Sequence, residues 1–255
     1  MEPQPLEPVP PPSSTDAEPS LSILERAVAI FTRPSAAWSG LRTRAQWWFP
    51  LIIVTLANVG FSAALWDRAI LPMQLDAMEE QVAAGKMEPA ALDRAETMMR
   101  SPAGLALAAL PWVILSPLFS LISAWILMAA VGFMLGGKLS FRPAFEVVTW
   151  SGLIHLPGIL VTGILAWSKQ TMEGVHVSLA ALLPEPDKSD RVMSSVVGIL
   201  DGLGPFGIWW IAVLVIGAST LSGVPRKRVA WSVGGIYVGL LVFFVVLGGM
   251  FRRGG

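Results

Sequence analysis

The sequence predicts an all-α fold: a polytopic membrane helix bundle with five transmembrane helices and an N-terminal amphipathic interfacial helix. Three observations predict it. Of 255 residues, 54% are hydrophobic and 14% charged, with mean hydropathy +0.63, whereas soluble domains carry about 25% charged residues. Uncharged stretches of about 20 residues, the length that crosses roughly 30 Å of hydrocarbon, recur along the chain. Tryptophans gather near the ends of those stretches (Trp47, Trp48, Trp66, Trp150, Trp167, Trp209, Trp210 and Trp231), where rings at headgroup level are expected.

Lys plus Arg is 18 and Asp plus Glu is 18, so the basic excess of a nucleic-acid binder is absent. The apolar content is too high for a disordered chain. Cysteine is absent, which excludes disulfides, thiolate metal sites and cysteine nucleophiles together.

Residues 1–20 hold seven of the 20 prolines and no basic residue. That density favours an extended, solvated tail, with a proline-motif docking site as the alternative. Residues 21–46 are expected to form amphipathic interfacial helices. Ser22-x-x-Glu25 fits a capping box, and Leu24, Ala27, Val28 and Phe31 follow at helical spacing. Pro34 ends that helix, Ser35 caps the next, and Trp38 and Leu41 continue its apolar face. Such a segment lies in the membrane interface or packs on the first span.

The membrane domain, 47–251, is expected to hold spans at about 47–66, 110–135, 147–167, 205–224 and 229–251. Between Arg100 and Lys138 no charge occurs over 37 residues, about 55 Å as one helix. Residues 103–110 read as an interfacial lead-in to a single span, with kinks at Pro111 and Pro117; two spans here would invert the C-terminus. Residues 75–99 read as two short helices broken near Gly85 and Pro89. Residues 171–183 are weakly amphipathic, before a turn at Pro184-Glu-Pro186-Asp.

Five spans put nine basic and six acidic residues on the side of the N-terminus, against nine basic and twelve acidic on the other. The first set is concentrated beside span ends: Arg42, Arg44, Lys138, Arg142, Arg226, Lys227 and Arg228. Short-loop cations orient a membrane protein, so the N-terminus is expected in the cytoplasm and the C-terminus outside.

Several residues invite a chemical role. Ser151 and His155 are four apart, which puts them on one helix face, but neither an oxyanion loop nor an orienting carboxylate accompanies them. Interhelical hydrogen bonding is the expected use, and intramembrane hydrolysis a remote one. Glu146 and Asp201 lie at span ends, where capping competes with a proton or ion relay. His176 has no second histidine at metal-ligand spacing, so neither a metal nor a cofactor is expected. Gly60-x-x-x-Ala64, Gly132-x-x-x-Gly136 and Gly235-x-x-x-Gly239 allow close helix approach, within the bundle or in a homo-oligomer. The run Pro225-Arg-Lys-Arg228 reads as a topology signal before a lipid site.

The order of motifs is similar to one family. Phe31-Thr-Arg-Pro34-Ser and Trp38 precede Trp47-Trp-Phe-Pro50 at the first span. Leu135-Gly136-Gly137-Lys-Leu-Ser-Phe141 follows the second, and His155-Leu-Pro157 lies in the third. Asp201-Gly-Leu-Gly-Pro205-Phe-Gly-Ile-Trp209 opens a span ending in Ile216-Gly217 and a basic turn. Over roughly 21–250 these resemble the Yip family, five-span membrane proteins named for interaction with Ypt/Rab GTPases. The resemblance implies a five-helix bundle with a cytoplasmic N-terminus, acting through protein partners; eukaryotic relatives act in vesicle traffic and membrane shaping. Arg (13) exceeds Lys (5) in an Ala/Gly-rich chain, which points to a GC-rich bacterial source without Rab-type partners.

The functional expectation is a non-enzymatic membrane adaptor or organiser in a bacterial cytoplasmic membrane. It would act on lipid, other membrane proteins or itself, with a transporter or exporter subunit as the alternative. Candidate packing or partner residues are Gly60, Gly132, Gly136, Gly137, His155, Pro157, Asp201, Pro205, Trp209, Gly235 and Gly239.

Overall fold

A computed structural model describes residues 21–41, 45–184 and 190–251. The proline-rich tail, Arg42, Arg44 and residues 185–187 of the expected turn lie outside them. Every regular element among the described residues is helical, and five helices are long and apolar enough to cross a membrane.

α1 (Ile23–Thr32) opens on the expected capping box, with Ser22 and Glu25 each accepting the other's backbone N–H. Those bonds hold the Glu25 carboxyl below its ordinary range. Residues 34–41 are successive turns, so the expected second helix does not form. Pro34 and Gly40, the latter at φ +73°, suit a compact turn better than a helix. The docked face of α1 also differs from expectation: Arg26, Ala29 and Ile30 are buried, while Leu24 and Val28 are 70% and 60% exposed. α1 packs on the third span instead of the first.

α2 (Trp48–Leu65) is the first span. It runs through a π-helical turn, Trp66–Ile70, into α3 (Leu71–Ala83), which pairs with α4 (Pro89–Met99) across Gly85 at φ +70°. Trp66, Leu71 and Leu75 form a small apolar core beneath that pair.

α5 (Pro102–Leu127) continues into a second π-helical stretch, Met128–Met134. The expected lead-in at 103–110 is therefore the start of one continuous helix. Ser101 caps it by accepting from Gly104 N–H, Pro102 suits its first turn, and the Ala/Leu run that follows has the best helix propensity. Between α2 and α5, the Thr55 hydroxyl donates to Ser116 Oγ at 3.1 Å.

The third span is broken into α6 (Phe141–Gly152) and α7 (His155–Lys169). Continued as α-helix, Pro157 would press its ring on the Leu153 carbonyl and lack the N–H that bonds there. The chain instead makes tight turns at Leu153 and Ile154, which leave Pro157 in the first turn of α7, where no donor is needed. α6 is the hub of the bundle. Ala144 to Ser151 are eight consecutive buried residues, and α2, α5 and α9 surround them.

Before the fourth span comes a helix the sequence reading missed, α8 (Arg191–Gly202). α9 (Pro205–Ser222) then packs on α6, and α10 (Arg226–Phe251) returns along α9. The bundle thus has a near end, with α1 and the short turns at 135–140 and 223–225, and a far end, with α3, α4 and α8.

Trp38 is sunk into the bundle from the near end. Its ring lies 2.7 Å from where a Cβ on Gly217 of α9 would stand. Gly217→Ala is therefore expected to lower stability by about 1–3 kcal/mol, as overpacked cores do, in thermal unfolding of the detergent-solubilised protein. Gly60→Ala, whose Cβ would meet nothing within 4 Å, is expected to leave the transition in place.

Candidate functional site

Two polar constellations stand out, one at each end of the third span. At the near end the Glu146 side chain is fully buried in α6. Its carboxylate accepts the Gln46 N–H at 2.8 Å and the Trp150 indole N–H at 3.2 Å. Glu146 thus anchors the chain just ahead of α2 from a neighbouring helix, beside a helix N-terminus that favours negative charge.

Arg26 of α1, 1% exposed, completes this group. Its guanidinium donates to the backbone oxygens of Ala37 and Ser39 and, at 2.9 Å, to Gln46 Oε1. It also lies 5.7 Å from the centre of the Trp150 ring. Gln46 therefore bridges the two charges, receiving from Arg26 on its side chain and donating to Glu146 from its backbone. Burial pushes the Arg26 basicity down, and the Glu146 carboxylate opposes that shift. Of these residues the sequence flagged Glu146 alone. Arg26 carries no such mark, because nothing in helical periodicity says that three acceptors will converge on it.

The far-end constellation is a cleft of about 350 Å³ between α7, α8, α9 and α10, lined by His155, Thr162, Asp201, Phe206 and Tyr237 among others. The Asp201 carboxylate pairs with His176 Nδ1 at 2.8 Å and accepts the Ser178 hydroxyl at 2.6 Å, pinning the 171–178 segment to α8. Tyr237, the single tyrosine of the chain, donates from its hydroxyl to the Gly202 carbonyl at 2.5 Å. His155 lies against Trp210, their ring centres 5.5 Å apart. Pro205 starts α9 behind the Gly204 N-cap. Trp209, four residues on, meets Phe31 of α1 edge-to-face at 5.7 Å.

The break in the third span separates the pair the sequence had placed on one face. Ser151 Oγ is buried in α6 with no hydrogen-bond partner among the described residues, while His155 faces the cleft from α7. The expected interhelical bond from Ser151 is thus absent there. Glu146 belongs to the near-end group, so the acidic candidates Glu146 and Asp201 do not share a site. Ser178 and Tyr237 escaped sequence reasoning, and His176 was weighed only as a metal ligand and not as a partner of Asp201; a lone tyrosine inside a span was the one further signal available.

The glycines divide. Gly132 and Gly137 serve close internal contacts: a Cβ would meet the Leu139 carbonyl oxygen at 2.6 Å and Val224 Cγ2 at 2.6 Å respectively. Gly136, at φ +67°, makes the turn that lets Lys138 N–H donate to the Ser222 carbonyl at 3.1 Å. Gly60, Gly235 and Gly239 face open space.

Arg26→Met removes every donor from the Ala37, Ser39 and Gln46 acceptors and leaves Glu146 without its bridged cation. Breaking a buried charge pair costs about 3–5 kcal/mol. Amide exchange over Ile23–Thr32 is expected to speed up sharply, with the exchange of α9 and α10 little changed; unaltered exchange in α1 would contradict the anchoring role.

Comparison with known proteins bears on this architecture. The Yip1 domain matches residues 28–248. Membrane protein YknW of Bacillus subtilis (strain 168) is 25% identical over 224 residues, 87% of this chain and 88% of that protein. No solved structure matches the chain. The Yip1 match takes in all five membrane-length helices and the second half of α1, and the chain belongs to the Yip1 domain family of integral membrane proteins.

Proposed function

We propose that the chain is a non-enzymatic adaptor or organiser of a bacterial cytoplasmic membrane, which gathers partner membrane proteins or further copies of itself through the exposed face of α10. The observation that carries this reading is the open glycine pair on that helix. Trp231, Gly235, Val238, Gly239 and Val242 are exposed together, and a Cβ at either glycine would meet nothing within 4 Å. Glycines four apart on a span let a second helix approach backbone to backbone. Gly132 and Gly137, by contrast, are filled by the protein's own turns.

Orientation follows from charge. Lys138, Arg142, Arg226, Lys227 and Arg228 fall at the near end, beside span ends in short turns, which supports a cytoplasmic near end and N-terminus. The C-terminus is then outside. A C-terminal alkaline phosphatase fusion is expected to be active, and a cytoplasmic readout would overturn the orientation.

The chain has no cysteine, so Val238→Cys supplies a unique crosslinking handle on the α10 face. In native membranes it is expected to crosslink to another membrane protein or to a second copy. Adding Gly235→Leu and Gly239→Leu should reduce that yield about tenfold, the equivalent of about 1.4 kcal/mol. Equal yield with and without the leucines would refute α10 as the contact face.

A further inference from the structure

A second open face lies between α2 and α7. It is a groove of about 560 Å³ with an almost wholly apolar lining that includes Gly60, Ala64, Leu160, Gly163, Ile164 and Trp167. Glycine on both walls creates the hollow: a Cβ on Gly60 would meet nothing, and one on Gly163 would only touch the Phe61 ring at 3.5 Å. Along α7 the lining extends from Leu156 to Ser168, about 18 Å at helical rise. That is close to the roughly 15 Å depth of one leaflet of hydrocarbon.

The groove ends at the far end of the bundle, beneath a cation. Trp167 forms part of its wall, and the Arg68 guanidinium lies 3.8 Å from the centre of that ring. Arg68 is exposed, and among the described residues no carboxylate, its neighbour Asp67 included, forms an ion pair with it. The other basic group nearby is already engaged, since Lys169 Nζ donates to the Gly174 carbonyl at 2.9 Å. Arg68 is thus held in place by an aromatic ring, with a planar fork of donors free for an anion. A partner helix would need the apolar hollow but not the cation at its mouth; a phospholipid needs both.

We propose that this groove is a binding site for one anionic phospholipid of the far-end leaflet. An acyl chain lies along Gly60 and Gly163, and the headgroup phosphate accepts from Arg68 above Trp167. The site is separate from the α10 face, so it goes beyond the adaptor reading and does not rest on it.

The test is native mass spectrometry of the full chain, stripped of lipid in detergent and titrated with phosphatidylglycerol or phosphatidylcholine of matched acyl chains. A single adduct with phosphatidylglycerol is expected at about tenfold lower lipid concentration than with phosphatidylcholine. Arg68→Gln should abolish that preference, while Arg94→Gln, the same charge change on α4, should preserve it. Gly60→Leu projects into the hollow from a position where a Cβ would meet nothing within 4 Å, and should weaken both adducts while leaving thermal unfolding unchanged.

Three results would overturn the site: a phosphatidylglycerol preference that survives Arg68→Gln, adducts unaffected by Gly60→Leu, or inorganic phosphate bound as tightly as the lipid. A second copy of the chain occupying the groove would appear as a dimer that Gly60→Leu dissociates, and that too would overturn it. Crosslinking from Val238→Cys should be unaltered in Arg68→Gln, so failure of the lipid site and failure of the adaptor reading can be told apart.

Discussion

A carboxylate sealed inside a membrane bundle is the constraint from which much of the near end follows. Glu146 is fully buried on the helix that α1, α2, α5 and α9 all touch. A buried charge is tolerated only where hydrogen bonds and an opposite charge compensate its lost hydration. The compensation comes from three pieces of chain. Gln46, just ahead of α2, supplies its backbone N–H, Trp150 supplies an indole N–H, and Arg26 approaches through the Gln46 side chain. Arg26 in turn ties up the carbonyls of Ala37 and Ser39, which have no helix of their own to pair with. α1, the 34–41 turns and the first span are thereby held in mutual register by one polar group.

This explains why α1 presents its least obvious face to the protein. A helix carrying Leu24, Ala27, Val28 and Phe31 in a stripe would bury that stripe if it folded in water. In a bilayer, apolar side chains lose nothing by facing outward, whereas Arg26 gains from convergent acceptors found only inside. The side chain that most needs partners sets the docking direction, and Leu24 and Val28 are left on the surface.

The number of spans and their approximate places were legible because length and hydropathy answer to a single external ruler, the thickness of hydrocarbon. The α3–α4 pair was legible because Gly85 and Pro89 mark its turn. α8 was not, because its twelve residues are too few to register as a span and sit among residues that read as loop. Nor was the break in the third span. Pro157 was visible, but its consequence depends on whether the helix starts before or after it, and the buried α6 continues uninterrupted up to Gly152. That break decided the fate of the Ser151–His155 pair. The glycine motifs were legible as motifs only; whether Gly132 or Gly235 meets protein depends on which helices become neighbours, a property of the whole bundle.

The far end is organised on a different principle. At the near end, turns are short and tied by backbone bonds such as Lys138 to Ser222. At the far end, the first span leaves α-helical geometry through a π-helical turn over Trp66–Ile70, and such turns re-aim side chains along a helix. Within that single turn, Trp66 donates from its indole to the Met99 carbonyl at 3.3 Å beneath α4. Arg68, two residues on, crosses to Trp167 on α7, and Ala69 is buried with Leu65 and Ala166. One turn thus serves two neighbouring helices, α4 and α7. The register change it introduces also points Leu71 and Leu75, one helical turn apart, back into the core below α3 and α4. The same deviation that attaches the far-end helical pair therefore leaves a cation standing over an apolar groove.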